Sequence, residues 1–161
     1  MTAVILYRIA AAIRKNKRRE LFKRSSLFFA IQQRKEKLKM FEIEIDRSFS
    51  AAHQLKGYDG DCRNLHGHNY EVTVTVEADT LNEVGIALDF KKLKAALDEV
   101  ITPYDHHNLS ELPDFQEINP TSEVLARTIY RKMSALLNDG NVRVSRVRIG
   151  ESASSRLTYS E

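Results

Sequence analysis

Tyr70-Glu71-Val72-Thr73-Val74-Thr75-Val76-Glu77 alternates strictly: Tyr70, Val72, Val74 and Val76 fall on one face of an extended chain, Glu71, Thr73, Thr75 and Glu77 on the other. Successive strand side chains point to opposite sides, so this stretch predicts a strand with one face toward a core. On its N-terminal side, Phe41, Ile43 and Ile45, then Phe49 and Ala51, alternate with Glu42, Glu44 and Asp46 in a strand running toward His53. The polar segment Gln54 to Asn64, with Gly57, Asp59, Gly60 and Asp61, reads as the loop between the two strands. On the C-terminal side, a turn-like Asp79 to Gly85 leads to Asp89, a helix N-cap ahead of Phe90, Leu93, Leu97 and Val100; Pro103 ends that helix. Thr121-Ser122-Glu123, behind Pro120, starts a second helix. Its stripe Val124, Leu125, Ile129, Met133, Leu136 and Leu137 runs to Asn138-Asp139-Gly140. Val142, Val144, Val147 and Ile149 predict a third strand, and Arg156 to Tyr159 a short fourth. The order β-β-α-α-β-β argues an α+β fold: an antiparallel four-stranded sheet with two helices on one face. Four strands leave open edges that pairing between subunits would cover, so an oligomer is expected.

At 161 residues and 42% hydrophobic, the chain suits one domain with a core rather than two. Its net charge of +3 conceals a split. Residues 1–39 carry twelve basic and two acidic side chains, net +10, whereas residues 40–161 carry thirteen and twenty, net −7. The pI near 9.0 therefore belongs to the head and does not argue nucleic-acid binding by the acidic body. The head reads as helical and basic. Its charge follows the apolar residues instead of preceding them, which excludes a secretory signal. An organelle transit segment and a membrane-surface or nucleic-acid arm are possible readings of such a head. The favoured one is an extension outside the fold, with Met40 as the functional start. No apolar run approaches the roughly 18–20 residues that span a bilayer. The single cysteine, Cys62, excludes an internal disulfide and a zinc site of several thiolates, and it fits a reducing, cytoplasmic setting.

All five histidines lie between positions 53 and 107. His66 and His68 flank Gly67 at the entrance to the second strand, so period two puts both on one face. His53 ends the first strand, the hairpin partner of the second. Three imidazoles with an open fourth position describe a catalytic zinc site, whereas structural sites are closed by four ligands. Cys62, four residues before His66 in a polar loop, is a candidate base or nucleophile if a nearby cation lowers its pKa. In Asp105-His106-His107, adjacent acid and imidazole groups can fix each other's proton state. Glu151 follows a strand and Gly150, where a carboxylate could be offered to a ligand.

Cys62-Arg63-Asn64-Leu65-His66-Gly67-His68-Asn69 resembles the 6-pyruvoyl-tetrahydropterin synthase family, with a Cys-to-His spacing nearest its bacterial 6-carboxy-5,6,7,8-tetrahydropterin synthase branch. Further segments match in order over about residues 40 to 161: Phe49-Ser50-Ala51-Ala52-His53, Leu88 to Lys94, Tyr104 to Leu109, Asn119-Pro120-Thr121-Ser122-Glu123 and Gly150-Glu151. The basic head has no counterpart.

The resemblance implies a tunnelling fold whose subunit sheets join into an oligomeric barrel, typically a homohexamer of two trimers. It implies zinc on His53, His66 and His68, and Cys62 as proton acceptor. It further implies an Asp105–His106 proton relay, with the residue directly after Asp acting rather than His107, and a pterin gripped by Glu151. Thr121, Ser122 and Glu123 would line the same pocket. The implied partner is a small-molecule pterin, not a nucleic acid or a membrane. The implied reaction takes 7,8-dihydroneopterin triphosphate to 6-carboxytetrahydropterin, acetaldehyde and triphosphate in queuosine biosynthesis. Rivals are the pyruvoyl branch, which eliminates triphosphate without losing carbon, a relative acting on another pterin, and a non-catalytic module with a closed Cys-His₃ zinc site. A nucleic-acid role for the head is a further, separate alternative.

Overall fold

The computed structural model describes residues 40–161; the helical reading of residues 1–39 lies outside the described residues. Strand β1 spans Phe41–His53 and β2 His66–Ala78, helix α1 spans Phe90–Ile101 and α2 Ser122–Leu137, and β3 (Val142–Gly150) and β4 (Arg156–Tyr159) follow. Single 3₁₀ turns stand at Asp61–Arg63, Leu109–Glu111 and Pro113–Phe115. The sheet is antiparallel throughout, in the order β1-β2-β3-β4. This is the expected α+β architecture. Among the described residues no helix is long and apolar enough to cross a membrane.

Both helices begin where their caps dictate. Asp89 accepts the Lys91 N–H at 2.7 Å, and Thr121 Oγ1 accepts the Val124 N–H at 3.3 Å; each such cap contributes about 1 kcal/mol. Leu93, Leu97, Val100 and Ile101 of α1, and Leu125, Ala126, Ile129, Tyr130, Met133 and Leu137 of α2, are buried against Val72, Val74, Val76, Val147 and Ile149. Each large aliphatic side chain so buried stabilises the fold by roughly 1.5–3 kcal/mol. The buried face of α2 follows the four-residue ladder from Leu125 to Leu137, which leaves Leu136 44% exposed. Phe90, at the first position of α1, is likewise more than half exposed and adds little to the core.

Two features of the sheet depart from simple alternation. Val144 and Val147 both face the core although they are three residues apart. The register moves from Thr75↔Arg146 to Val76↔Val144, so Ser145 is the extra residue of a β-bulge that restores the pattern. Thr73 and Thr75, expected on a solvated face, are buried. Their hydroxyls donate to Asp46 Oδ1 (2.6 Å) and Glu44 Oε2 (2.9 Å), while Arg148 reaches Thr73 and Arg146 pairs with Glu42 and Glu44. Long arginine stems from β3 thus cover the short threonines of β2.

The free side of β1 is partly occupied. His106 N–H donates to Ser50 C=O at 2.6 Å and Ala52 N–H to His107 C=O at 3.0 Å, with a parallel bridge between Ala52 and Asn108. The segment after α1 therefore lies along the end of β1 that leads to His53.

Candidate functional site

β1 and β2 pair with His53 opposite His66 and Ala51 opposite His68. Directly opposed residues of an antiparallel pair share a face, as do residues two apart, so three imidazoles meet where the hairpin opens into its loop. Their ligand atoms all lie within 4.8 Å of one another. His53 Nε2 and His66 Nε2 are 3.0 Å apart, and the His68 ring centroid lies 5.2 Å and 4.9 Å from theirs. His53 is buried; His66 and His68 are half-buried.

Main-chain carbonyls choose which nitrogen each ring presents. Pro120 C=O is 2.8 Å from His53 Nδ1, and Asn64 C=O is 2.8 Å from His66 Nδ1. A carbonyl can only accept, so each Nδ1 carries the proton and each Nε2 keeps its lone pair for a ligand. Burial holds His53 below the ordinary imidazole value; the Pro120 carbonyl opposes this and the neighbouring His66 adds to it. A ring kept neutral near pH 7 is ready to bind a cation. The donor set fits a metal ion: three imidazoles, two of them oriented from behind, with no fourth ligand drawn into the group among the described residues.

Tyr70 stands two residues beyond His68 on the same face. Its ring stacks on Phe49 (centroids 5.1 Å apart) and meets the rings of His53 and His68 edge-on at 6.0 Å and 5.4 Å. The residue is fully buried, and among the described residues its hydroxyl has no hydrogen-bond partner. Burial pushes this phenol well above its usual range, with the Glu151 and Cys62 charges acting the same way. Tyr70 thus lies against His53 and His68 of the imidazole trio. Reading it only as a core strand residue missed this position; the signal was its period-two relation to His66 and His68.

The other expected residues fall in three groups. Glu151, half-buried just past β3, accepts the Ser122 hydroxyl at 2.7 Å from the first turn of α2. Thr121 is committed to capping α2, and Glu123 is exposed in its first turn. Cys62 sits half-buried in the Asp61–Arg63 turn, and its carbonyl accepts the Leu55 N–H at 2.8 Å. Asp105 and His106 form a pair, Oδ1 to Nδ1 at 2.9 Å, on the outer side of β1. Ser50 N–H donates to the same carboxylate at 2.9 Å; that bond, above all, holds Asp105 below the ordinary carboxylate range, and His106 adds to it. His106 has φ 60°, the one non-glycine residue in the left-handed region among those described, and its side chain is 79% exposed. His107 is turned back onto the Asp105 carbonyl at 2.7 Å. The structure thus gathers the three histidines, Tyr70, Glu151 and Ser122, while the Asp105–His106 pair makes no hydrogen bond to them.

Residues 42–161 match the family model described as 6-pyruvoyl tetrahydropterin synthase. A curated relative from Synechocystis, named 6-carboxy-5,6,7,8-tetrahydropterin synthase, is 39% identical over 99 residues, covering 58% of this chain and 75% of that protein. One of the same name from Haemophilus influenzae is 30% identical over 144 residues, covering 76% of this chain and all of its own length. The solved 6-pyruvoyl tetrahydropterin synthase of Caenorhabditis elegans superposes with a TM-score of 0.68 at 28% identity, covering 76% of this chain and 96% of that one. With that sheet, those helices and the family match running through the hairpin that carries the three histidines, the chain belongs to the 6-pyruvoyl tetrahydropterin synthase family.

Proposed function

We propose that the protein is a zinc-dependent, carbon–carbon-cleaving tetrahydropterin synthase of the cytoplasm. It converts 7,8-dihydroneopterin triphosphate and one water to 6-carboxy-5,6,7,8-tetrahydropterin, acetaldehyde and triphosphate, an early step toward queuosine. The observation that carries the reading is the imidazole trio, with the Nδ1 atoms of His53 and His66 engaged by carbonyls and their Nε2 atoms facing one another. The names of the Synechocystis and Haemophilus relatives favour the carboxy product.

His53, His66 and His68 would hold the zinc, which when bound supplies Lewis-acid polarisation of oxygens on the pterin side chain. Cys62, as thiolate, accepts a proton from that side chain. Asp105 stays ionised through the Ser50 N–H and holds His106 by Nδ1, leaving Nε2 to exchange a proton with substrate. Glu151, oriented by Ser122, accepts the paired N–H donors of the aminopyrimidine edge, a two-pronged match of the kind carboxylates make with guanidinium groups. Thr121 and Glu123 flank that pocket. A relay as exposed as His106 suits a site completed across a subunit boundary, and the open sheet edges suit a homohexamer of two trimers closed into a barrel. In this reading residues 40–161 carry the function and the basic head takes no part in it.

Mass-spectrometric analysis of the products formed from 7,8-dihydroneopterin triphosphate tests the reading. 6-Carboxytetrahydropterin with acetaldehyde supports it. 6-Pyruvoyltetrahydropterin alone moves the chain to the activity named for the C. elegans structure. No product favours a closed zinc module.

A further inference from the structure

The loop of residues 54–65, which carries Cys62, contains no regular element beyond one 3₁₀ turn. Its glycines give it freedom: Gly57, at φ 77°, follows Lys56 in a conformation that other residues rarely adopt. The loop is nevertheless fastened, and the fastenings lie on its first limb. Ser110 grips Gln54 at both main-chain groups: Gln54 N–H donates to Ser110 Oγ (3.0 Å), and the hydroxyl donates to Gln54 C=O (3.1 Å). Asn119 grips Lys56 in the same manner. Lys56 N–H donates to Asn119 Oδ1 (2.8 Å), and Asn119 Nδ2 donates to Lys56 C=O (2.9 Å). Leu55, held between these two clamped residues, donates its N–H to the Cys62 carbonyl at 2.8 Å. The residue after Asn119 is Pro120, whose carbonyl orients His53.

We propose that Asn119 is a positioning residue for Cys62: its amide, paired with both main-chain groups of Lys56, fixes the Cys62 turn relative to His53, which the adjoining Pro120 carbonyl holds. A primary amide offers one acceptor and one donor side by side, which matches a main-chain N–H and C=O as a neighbouring strand would. Asp keeps the acceptor and loses the donor; Ala loses both. The inference rests on the proposed role of Cys62 as proton acceptor. A base displaced by about 1 Å can cost about 10²-fold in rate while binding is kept.

The test compares Asn119→Ala and Asn119→Asp with the parent in three readouts: zinc content, the rate of Cys62 alkylation by iodoacetamide, and kcat separately from KM. With Asn119→Ala, the expected result is parental zinc, KM within about twofold, kcat lowered about 10- to 100-fold and faster alkylation, with Asn119→Asp in between. A residue that merely anchors α2 would lower thermal stability and leave the alkylation rate and kcat of the folded protein unchanged; that outcome overturns the proposal, as does a kcat loss that tracks zinc loss. If Asn119→Ala does not fold, Asn119→Asp and Ser110→Ala carry the same comparison. Cys62→Ala tests the underlying reading separately: full activity there removes Cys62 from catalysis, whatever the clamp does.

Discussion

His53 Nε2 faces His66 Nε2 across 3.0 Å at directly paired positions of β1 and β2. Because each ring spends its Nδ1–H on a carbonyl, two lone pairs point at one another, an arrangement that a cation between them relieves. Zinc–nitrogen bonds of about 2.0–2.1 Å at tetrahedral angles put ligand nitrogens about 3.3 Å apart, close to the observed spacing.

The first prediction follows from that pair. The parent protein should bind one zinc per chain, and chelation should lower its thermal midpoint, since a ligand at 100 times its Kd adds about 2.7 kcal/mol to stability. His66→Ala should bind no zinc, and its midpoint should not respond to chelator. Metal analysis with thermal melts in the presence and absence of EDTA reads both.

A second prediction concerns the carboxylate held by Ser122. Charge-assisted hydrogen bonds contribute about 1.5–3 kcal/mol, so Glu151→Ala should weaken binding of an unphosphorylated pterin about 10- to 150-fold while zinc content stays parental. Ser122→Ala, which only frees the carboxylate to reorient, should weaken binding less than Glu151→Ala. Fluorescence titration measures both constants.

Tyr70 supports a third. A buried hydroxyl without a partner costs about 1–3 kcal/mol, so removing it without changing ring shape should be neutral or stabilising. Tyr70→Phe should therefore unfold in urea at the parental midpoint or above. A clear destabilisation would mean that the hydroxyl has a partner after all.

The fourth is a pH dependence away from the metal. Tyr104, almost fully buried, donates to Asp114 Oδ2 at 2.7 Å, and Lys132 pairs with the same oxygen while lying over the Tyr104 ring, 5.3 Å from its centroid. Partial burial acts to raise the Asp114 carboxyl, but the bonds from Lys132 and Tyr104 outweigh it and hold it below the ordinary carboxylate range. A depressed carboxyl contributes stability above its unfolded value, about pH 3.9, and loses it as pH falls through the folded value. Asp114→Asn should thus be less stable than the parent at pH 7, by roughly 1–2 kcal/mol once the partial exposure of Lys132 is allowed for, and the gap should narrow toward pH 3. Zinc release at low pH affects both proteins alike, so urea midpoints of the pair at pH 7 and pH 3 isolate Asp114.

Element order, caps and the imidazole trio were legible in the sequence because they rest on side-chain type and local period. His66 and His68 needed only period two, and Asp89 and Thr121 marked both helix starts. What stayed hidden depends on main-chain groups or distant pairing. Pro120 and Asn64 orient the histidines through carbonyls, which every residue possesses. Asn119 stood out only within the family-like segment that leads to Thr121, because its partner, Lys56, is 63 residues away. The Asp105–His106 pair was visible as chemistry, but its seat beside Ser50 required the segment after α1 to dock on β1. The Val144–Val147 step concealed a bulge, and buried Thr73 could not be distinguished from an exposed one until Arg148 was seen to cover it.

X-ray absorption at the zinc edge of the purified protein distinguishes an open three-imidazole centre, with Cys62 outside the coordination sphere, from a closed one. Three nitrogen scatterers and one oxygen ligand at about 2.0–2.1 Å, with no sulfur, are the expected result. A sulfur scatterer at about 2.3 Å, absent from Cys62→Ala, would show a closed Cys-His₃ site and contradict the catalytic reading.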